Sequence, residues 1–471
     1  MSFILYDLTL LGIFVVFVVL FLYRGRKNTK REGILFLYRT EWGMKLIEKV
    51  GTKYKKTLDF LSYISVGLGY LLTIGALWLV YTIVKLYLLR PDVVSAIKVP
   101  PIMPLIPYID KMVPFLPPFY FTYWIAILAV IAITHEFAHG IFMRRYGIKI
   151  KSTGFGFFPF FFPVFPAAFV EQDEKSMIKA NNFEQRAVLS AGTFANMITA
   201  GVFLIVLFGF FALNFTPGGI VFDDYSYNVV NLSAITMVNG AQINNPSMDE
   251  LKTVVKNNTF NNIEAGGTNF IGIKGFSNDG TQIALYHDAP AIKSELNGAI
   301  IKINNIKITN LEELSETLSK HNPGDKVIIK TKVKEEIQEY EIILGENPEN
   351  PGQVWLGIGF LNKPSSSGIM NKIFGVISSF KLSNVYYESK IGEFGWFIYY
   401  LLWWLIMMSL SVALINMLPM GIFDGGRFFY LTVLAITGKE TWAKNSYKCL
   451  TYLFLIILLA IMVFWAYVIF F

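Results

Sequence analysis

The sequence predicts a polytopic α-helical membrane protein with about six spanning helices, a membrane-embedded β-hairpin or strand region, and an inserted α/β soluble region. Three observations carry that reading. Of 471 residues, 54% are hydrophobic and only 16% are charged, against roughly 25% charged in an ordinary globular domain. The apolar residues gather into six long runs, each near the ~20 helical residues that ~30 Å of hydrocarbon demands. Between the fourth and fifth runs the pattern changes to alternating apolar and polar residues rich in Asn, Gly and Lys, as in chain that folds in water.

The inventory also excludes classes of protein. A single cysteine, Cys449, rules out a disulfide scaffold, a four-cysteine zinc site and a cysteine-ligated iron–sulfur cluster within one chain. With four histidines, any metal site must draw on His, Asp and Glu. The net charge of +7 is unevenly spread: residues 217–370 hold 12 Lys and 18 Asp plus Glu, a net of −6, which leaves +13 for the rest. The basic residues flank the apolar runs, as in positive-inside loops, so no nucleic-acid partner is expected.

The runs fall near residues 7–23, 60–89, 119–143, 186–213, 391–418 and 449–470. In the first, the positive charges follow the apolar stretch, so it reads as a retained anchor rather than a cleaved signal peptide. Eleven basic residues between Arg24 and Lys56 place that loop in the cytoplasm and the N-terminus outside. Alternation then puts Arg144, Arg145, Lys149 and Lys151 inside, residues 214–390 outside, and Arg427, Lys439 and Lys444 inside. Every basic cluster agrees with one topology.

Two segments fall outside this scheme. Residues 97–118 hold seven prolines, among them Pro100, Pro101, Pro104 and Pro107, so they cannot form one regular helix. They read as a pleated, interfacial or re-entrant stretch. Residues Gly154 to Phe169 are too short and proline-rich for a span, and their aromatic run punctuated by Gly and Pro predicts a hairpin or edge strand entering the membrane against protein. Unpaired backbone facing lipid would cost several kcal/mol per group.

In the soluble insert, Gly298 to Ile308 predicts strand, turn and strand, followed by a helix over 310–318, a turn at Asn322–Asp325, and a strand at 326–333 pairing with 338–344. This order resembles a PDZ domain, a module that takes extended peptide ends as an added strand. Val238 to Ile243 followed by Asp249–Leu251 echoes Ile303 to Ile308 followed by Glu312–Leu314, which points to two PDZ-like units in tandem; one enlarged unit with a strand-rich extension is the alternative. His287 and His321 read as solvated loop residues of this insert.

The chemistry sits at the end of the third run, in His135-Glu136-Phe137-Ala138-His139. On a helix, positions i and i+4 share a face, so both imidazoles reach one Zn²⁺, and Glu136 on the neighbouring flank can take a proton from water. For four histidines among 471 residues, such a motif is expected by chance on the order of 0.001 times. Ionisable groups in an apolar helix are costly and by default functional. Catalytic zinc needs a third protein ligand. A metzincin would carry Gly and His where this chain has Phe142 and Arg145, and the other two histidines lie in the insert, so the third ligand is expected to be a carboxylate. Asp424, in the stretch Asn416 to Gly426, falls toward the same side of the membrane as His135, whereas Glu393 falls at the opposite end of the fifth run.

With His-Glu-x-x-His at 135–139 and Asn-x-x-Pro-x-x-x-x-Asp-Gly at 416–425, on either side of a PDZ-like insert, the chain resembles the site-2 proteases, a family of intramembrane zinc metalloproteases. The resemblance covers about 119–213 and 391–430. It implies one Zn²⁺ per chain held by His135, His139 and Asp424, with Glu136 as general base and Asn416 holding the substrate or polarising its carbonyl. The family's Gly-Pro-x-x-Asn appears here as Gly192-Thr193-Phe194-Ala195-Asn196, without the proline, which weakens a functional role for Asn196. Residues 154–169 would correspond to the family's membrane-inserted strand region.

The resulting expectation is an intramembrane protease that hydrolyses peptide bonds within or near the transmembrane segments of anchored proteins. Its partners would be those substrates, an upstream protease that trims them, and the lipid bilayer, in a multi-pass and prokaryotic cell-membrane setting. The expected domains are 1–118 (N-terminal helices, basic loop and Pro-rich segment), 119–213 (first part of the catalytic core), 217–287 and 288–365 (PDZ-like units), and 391–471 (second part of the core). The competing reading is a non-catalytic membrane receptor or scaffold that binds peptide ends through the PDZ-like region.

Overall fold

The computed structural model describes residues 3–470 other than 26–28, 33–34, 98–99, 102–104, 114–115, 159–164, 244–245, 256–259, 278–280, 334–335, 349, 361–374 and 376–379. The chain divides into two units, Met1–Phe210 with Trp396–Phe471, and Phe211–Gly395.

The first unit holds the apolar helices. In chain order it comprises α1 (Phe3–Arg24), β1 (Thr29–Glu32), β2 (Leu35–Thr40), α2 (Met44–Lys53), α3 (Lys55–Leu89), α4 (Pro91–Ile97), α5 (Phe121–Arg145), β3 (Ile150–Phe158), β4 (Phe165–Gln172), α6 (Glu174–Lys179) and α7 (Asn182–Asn214). After the second unit follow α8 (Glu393–Asn416), α9 (Asp424–Thr437) and α10 (Glu440–Phe470). Six of these helices, α1, α3, α5, α7, α8 and α10, are long and apolar enough to cross a membrane. In α1, α3, α7 and α10 many apolar side chains are exposed, as lipid-facing surface must be, whereas those of α5 and α8 are mostly buried or half-buried.

The basic loop is more structured than charge alone implied. Its β1 and β2 extend the Phe-rich hairpin of β3 and β4 into a four-stranded antiparallel sheet of order β1-β2-β3-β4. Phe36 pairs with Phe157 and Tyr38 with Phe155 on one side of β3, while Phe155 pairs with Ala168 and Gly154 with Phe169 on the other. A side chain at Gly154 would lie 2.6 Å from the Phe169 ring, so glycine is required where these strands cross. Residues 159–164 lie outside the described residues.

In the Pro-rich segment the described residues form a short 3-10 turn, Ile109–Lys111, entered through Tyr108 at φ 64°. Leu105, Ile106, Tyr108 and Leu116 pack with Phe119, Tyr123 and Trp124 of the α5 entry and with Trp404 of α8. The Trp124 indole donates to the Leu105 carbonyl (2.8 Å), and the Trp404 indole donates to that of Pro118 (3.0 Å).

The second unit folds as strands around two cores. One six-stranded sheet runs Tyr227–Asn231, Gln282–His287, Thr268–Phe276, Ile263–Ala265, Ile235–Val238, Ala241–Gln242, over Leu232, Leu251, Phe270 and Leu285. A second runs Glu336–Ile343, Lys326–Val333, Ala299–Ile303, Phe215–Ile220, Val385–Ser389, with Ile306–Lys307 attached to Ala299–Ile303, over Ile300, Ile303, Leu314 and Ile329. Both halves of the internal repeat form a hairpin followed by a capped helix: Met248–Val254 with Ser247 and Glu250 as a capping box, and Leu311–Ser319 with Asn310 as N-cap. Strand 326–333 stands where the pattern put it; its partner begins two residues earlier, at Glu336. His287 corrects the solvated-loop reading: it ends a strand, is 7% exposed, and packs against Phe270 and Trp355.

Candidate metal centre

The site is built on α5. Its final turns place His135 and His139 on one face, four residues apart, and both rings are buried. Opposite them, α8 ends at Asn416, the chain turns irregularly through Pro419, and Asp424 opens α9. The two glycines after Asp424 make that re-entry possible. A Cβ at Gly425 would come 2.6 Å from the Leu418 carbonyl oxygen, and one at Gly426 would meet the Met420 carbonyl, so only bare backbone can fold back so closely.

Three ligand atoms converge as a result. His135 Nε2 lies 3.1 Å from His139 Nε2, and Asp424 Oδ2 lies 3.4 Å and 3.3 Å from the two nitrogens. Three ligands at ~2.0–2.1 Å in tetrahedral arrangement stand roughly 3.3 Å apart. The group thus has the spacing that one zinc ion requires, and it is the one group of this kind among the described residues.

α7 orients the imidazoles. His139 Nδ1 lies 2.7 Å from the Val188 carbonyl oxygen; a carbonyl only accepts, so Nδ1 carries the proton and Nε2 keeps its lone pair for the metal. His135 Nδ1 lies 3.0 Å from the side-chain amide of Asn196, which is fully buried. With its NH₂ toward the ring, Asn196 leaves Oδ1 without a partner. Exchanging the amide's oxygen and nitrogen, which are equivalent in shape, gives Oδ1 the Nδ1–H of His135 and frees His135 Nε2 for a metal. The orphaned oxygen is therefore accounted for in the zinc-binding tautomer. Gly192 completes the cradle, since a Cβ there would stand 2.6 Å from His135 Nε2 and would also strike His139. Where the family pattern has proline, the Thr193 hydroxyl donates to the Ser190 carbonyl at 2.9 Å, so the missing proline leaves the Gly and Asn positions undisturbed.

Glu136 lies beside the group. Its Oε2 accepts the Val170 backbone N–H of β4 at 3.0 Å. An open cavity of about 530 Å³ reaches Glu136, His139 and Asp424, with Phe169, Glu171 and Arg39 on its rim. Arg39 Nε donates to Glu171 Oε2 at 2.8 Å, and Ser152 Oγ donates to the same oxygen at 2.9 Å. These contacts, the Arg39 bond foremost, lower the Glu171 carboxylate from its ordinary value.

Of the residues singled out from sequence, His135, His139, Asp424 and Glu136 come together. Asn416 stands at the end of α8, partly buried, with no side-chain hydrogen bond among the described residues, and it is not on the cavity wall. Asn196, which the altered motif had weakened, contacts His135 directly. Among the described residues β3 is paired on both sides along Phe155–Phe157, whereas β4 has one strand neighbour, and its Val170 N–H is taken by Glu136. Asp7 was missed altogether. It is 2% exposed within α1, and its carboxylate accepts from the backbone N–H groups of Phe121 and Thr122 at 2.7 and 2.9 Å and from the Tyr108 hydroxyl at 2.7 Å. It thereby caps α5, whose own N-cap residue, Tyr120, supplies no side-chain bond. The available signal was a lone acid in an apolar run.

A multi-helix membrane protein in which two buried histidines meet a partly buried aspartate defines the class. The family model described as peptidase family M50 matches residues 123–461, and the chain belongs to that family, the site-2 proteases. Membership points to an intramembrane metalloprotease. The chain is also 31% identical over 188 residues to the protein named "Uncharacterized protein MJ0971" from Methanocaldococcus jannaschii, a match covering 39% of this chain and 46% of that relative. The chain thus spans about half the length of the curated relative it matches.

Proposed function

We propose that the protein is an intramembrane zinc endopeptidase that cuts membrane-anchored proteins within or near their transmembrane segments. The convergence of His135 Nε2, His139 Nε2 and Asp424 Oδ2 at 3.1–3.4 Å, beside Glu136 and open to one cavity, supports this best. Bound there, zinc would supply Lewis acidity, making water nucleophilic near neutral pH and polarising the scissile carbonyl.

The chain's own groups divide the remaining work. Val188 and Asn196 hold the imidazoles in the tautomers that present Nε2. Glu136 takes the proton of the attacking water on a carboxylate oxygen and passes it to the leaving amine, a general-base and then general-acid role. The Val170 N–H fixes one Glu136 oxygen, which leaves the other for that proton. A substrate helix hides its peptide bonds and must unwind before attack. β4 offers the unwound segment a strand to pair with, its outward backbone positions alternating with those already paired to β3. In this reading Asn416 acts on substrate rather than on the metal.

The insert, read as two PDZ-like units over 217–287 and 288–365, would stand outside the cell and admit substrates whose ectodomains an earlier protease has trimmed, with the active site toward the cytoplasm of a prokaryotic cell. Residues 244–245, 256–259, 278–280, 334–335, 349 and 361–365 of that range lie outside the described residues. The test is mass-spectrometric mapping of products when candidate membrane-anchored regulators, full-length and trimmed, are incubated with the reconstituted protein with and without chelator. Chelator-sensitive cuts inside the transmembrane segment support the reading; no cut in any of them, or cuts that chelator leaves intact, removes it. Equal selectivity after deletion of 217–365 removes the screening role alone.

A further inference from the structure

We infer that α2 is a docking surface for the anionic headgroups of the surrounding bilayer, set against the metal-carrying helix. α2 follows β2 and leads into α3, and one of its faces is committed. Ile47 is fully buried under α5, where a Cβ at Gly140, the residue after His139, would stand 2.9 Å from Ile47 Cδ1. One turn on, a Cβ at Gly51 would stand 2.7 Å from Arg144 Cβ and 2.9 Å from the Ile141 carbonyl. Glu48 pairs with Arg144.

The opposite face is a stripe of Lys45, Lys49 and Lys53, all exposed. At 100° per residue these three occupy a sector of roughly 80° centred about 180° from Ile47 and Gly51. Among the described residues none of the three has a carboxylate partner; the contact recorded for the group is Lys53 Nζ over the Tyr54 ring at 5.4 Å. On one flank of the stripe lies Leu46, 52% exposed, and just before the helix lies Trp42, 53% exposed. On the other flank are Glu48 and Thr52. Gly43 meets Phe137, Ile47 meets Gly140 and Gly51 meets Arg144, so α2 runs alongside the last turns of α5 and its lysines step through the headgroup layer there, with Leu46 and Trp42 toward the hydrocarbon.

Depth argues for the same occupant. α2 packs on the end of α5 that carries Arg144 and Arg145, and its own end adjoins Lys55 and Lys56, where α3 begins. Both are basic collars at the ends of helices apolar enough to span, so α2 lies at headgroup level. The occupant is an anionic phospholipid surface rather than a soluble anion, because the apolar flank would otherwise face water. Headgroups gathered on the lysines hold α2 against the turn that follows His139.

The test uses the full chain in nanodiscs of phosphatidylcholine alone or mixed 7:3 with phosphatidylglycerol, and native mass spectrometry of phosphatidylglycerol binding in micelles. Lys45→Gln/Lys49→Gln/Lys53→Gln is expected to weaken phosphatidylglycerol binding by on the order of tenfold or more. The matching triple arginine variant retains it, and Lys302→Gln/Lys307→Gln/Lys326→Gln in the second unit leaves it unchanged. Hydrogen exchange over residues 44–53 slows several-fold when phosphatidylglycerol is added to wild type and not to the glutamine variant. Equal binding by wild type and the α2 variant, an equal loss in the second-unit control, or exchange indifferent to phosphatidylglycerol would each overturn the inference.

Discussion

Replacing Asn196 by leucine, which keeps the shape and removes the polar groups, should weaken zinc binding while leaving the fold in place. Asn196 is fully buried and, among the described residues, its side chain bonds to His135 Nδ1 at 3.0 Å. Losing that bond forfeits about 0.5–1.5 kcal/mol, and the buried Nδ1–H left without an acceptor costs about 1–3 kcal/mol more. Part of that cost is relieved when His135 reverts to the other tautomer, but that tautomer cannot present Nε2 to the metal. The net expectation is a zinc dissociation constant raised roughly 10- to 100-fold, the usual range for loss of a group that orients a ligand. Asn196→Asp keeps an acceptor for Nδ1–H and should bind zinc within a few-fold of wild type. Titration against a competing chelator in detergent, with thermal unfolding of the metal-free proteins as control, measures both. Unchanged affinity in Asn196→Leu, or an equal loss in Asn196→Asp, would refute the assignment of the tautomer.

Three further outcomes follow from particular contacts. Gly192→Ala should purify with little or no zinc by elemental analysis, because its Cβ would stand 2.6 Å from His135 Nε2; full zinc occupancy would contradict the cradle. Asp7→Leu should lower the stability of the first unit by about 1–3 kcal/mol in a denaturant titration, since the α5 N–H groups of Phe121 and Thr122 lose their acceptor; Asp7→Asn should recover part of the loss. In the second unit, the Thr309 hydroxyl and backbone N–H hold the Glu313 carboxylate below its ordinary value of 4.5. A depressed folded value means the stabilisation is complete above pH ~4.5 and fades as the pH falls through the lower folded value. Protection of residues 309–319 in hydrogen exchange should follow that course in wild type and become pH-independent there in Glu313→Gln.

What could be read from sequence was what is local or scarce. Two histidines four residues apart declare a shared helix face without any knowledge of tertiary structure, and four histidines in all made Asp424 identifiable by elimination. That Asp424 begins a separate helix was less visible, because the apolar stretch from Met417 to Phe423 hides a fold-back that rests on Gly425 meeting the Leu418 carbonyl. β1 and β2 were hidden inside a loop whose lysines and arginines report topology, while strand formation there depends on pairing with Phe155–Phe157 more than a hundred residues away. Asn196 and His135 are 61 positions apart, and Asp7 and Thr122 are 115 apart, so no periodicity could join them. His287 was misread for the same reason, since its burial comes from Phe270 and Trp355.

In the proposed reaction Glu136 moves the proton for hydrolysis at a metal held by His135, His139 and Asp424. The most direct measurement compares wild type, Glu136→Gln and Asp424→Ala, reconstituted in vesicles with a membrane-spanning test substrate, for both zinc content and initial cleavage rate. One zinc and cleavage are expected in wild type, zinc retained with cleavage reduced at least ~10²-fold in Glu136→Gln, and both lost in Asp424→Ala. Cleavage by zinc-loaded Glu136→Gln at the wild-type rate, or full zinc occupancy in Asp424→Ala, would contradict it.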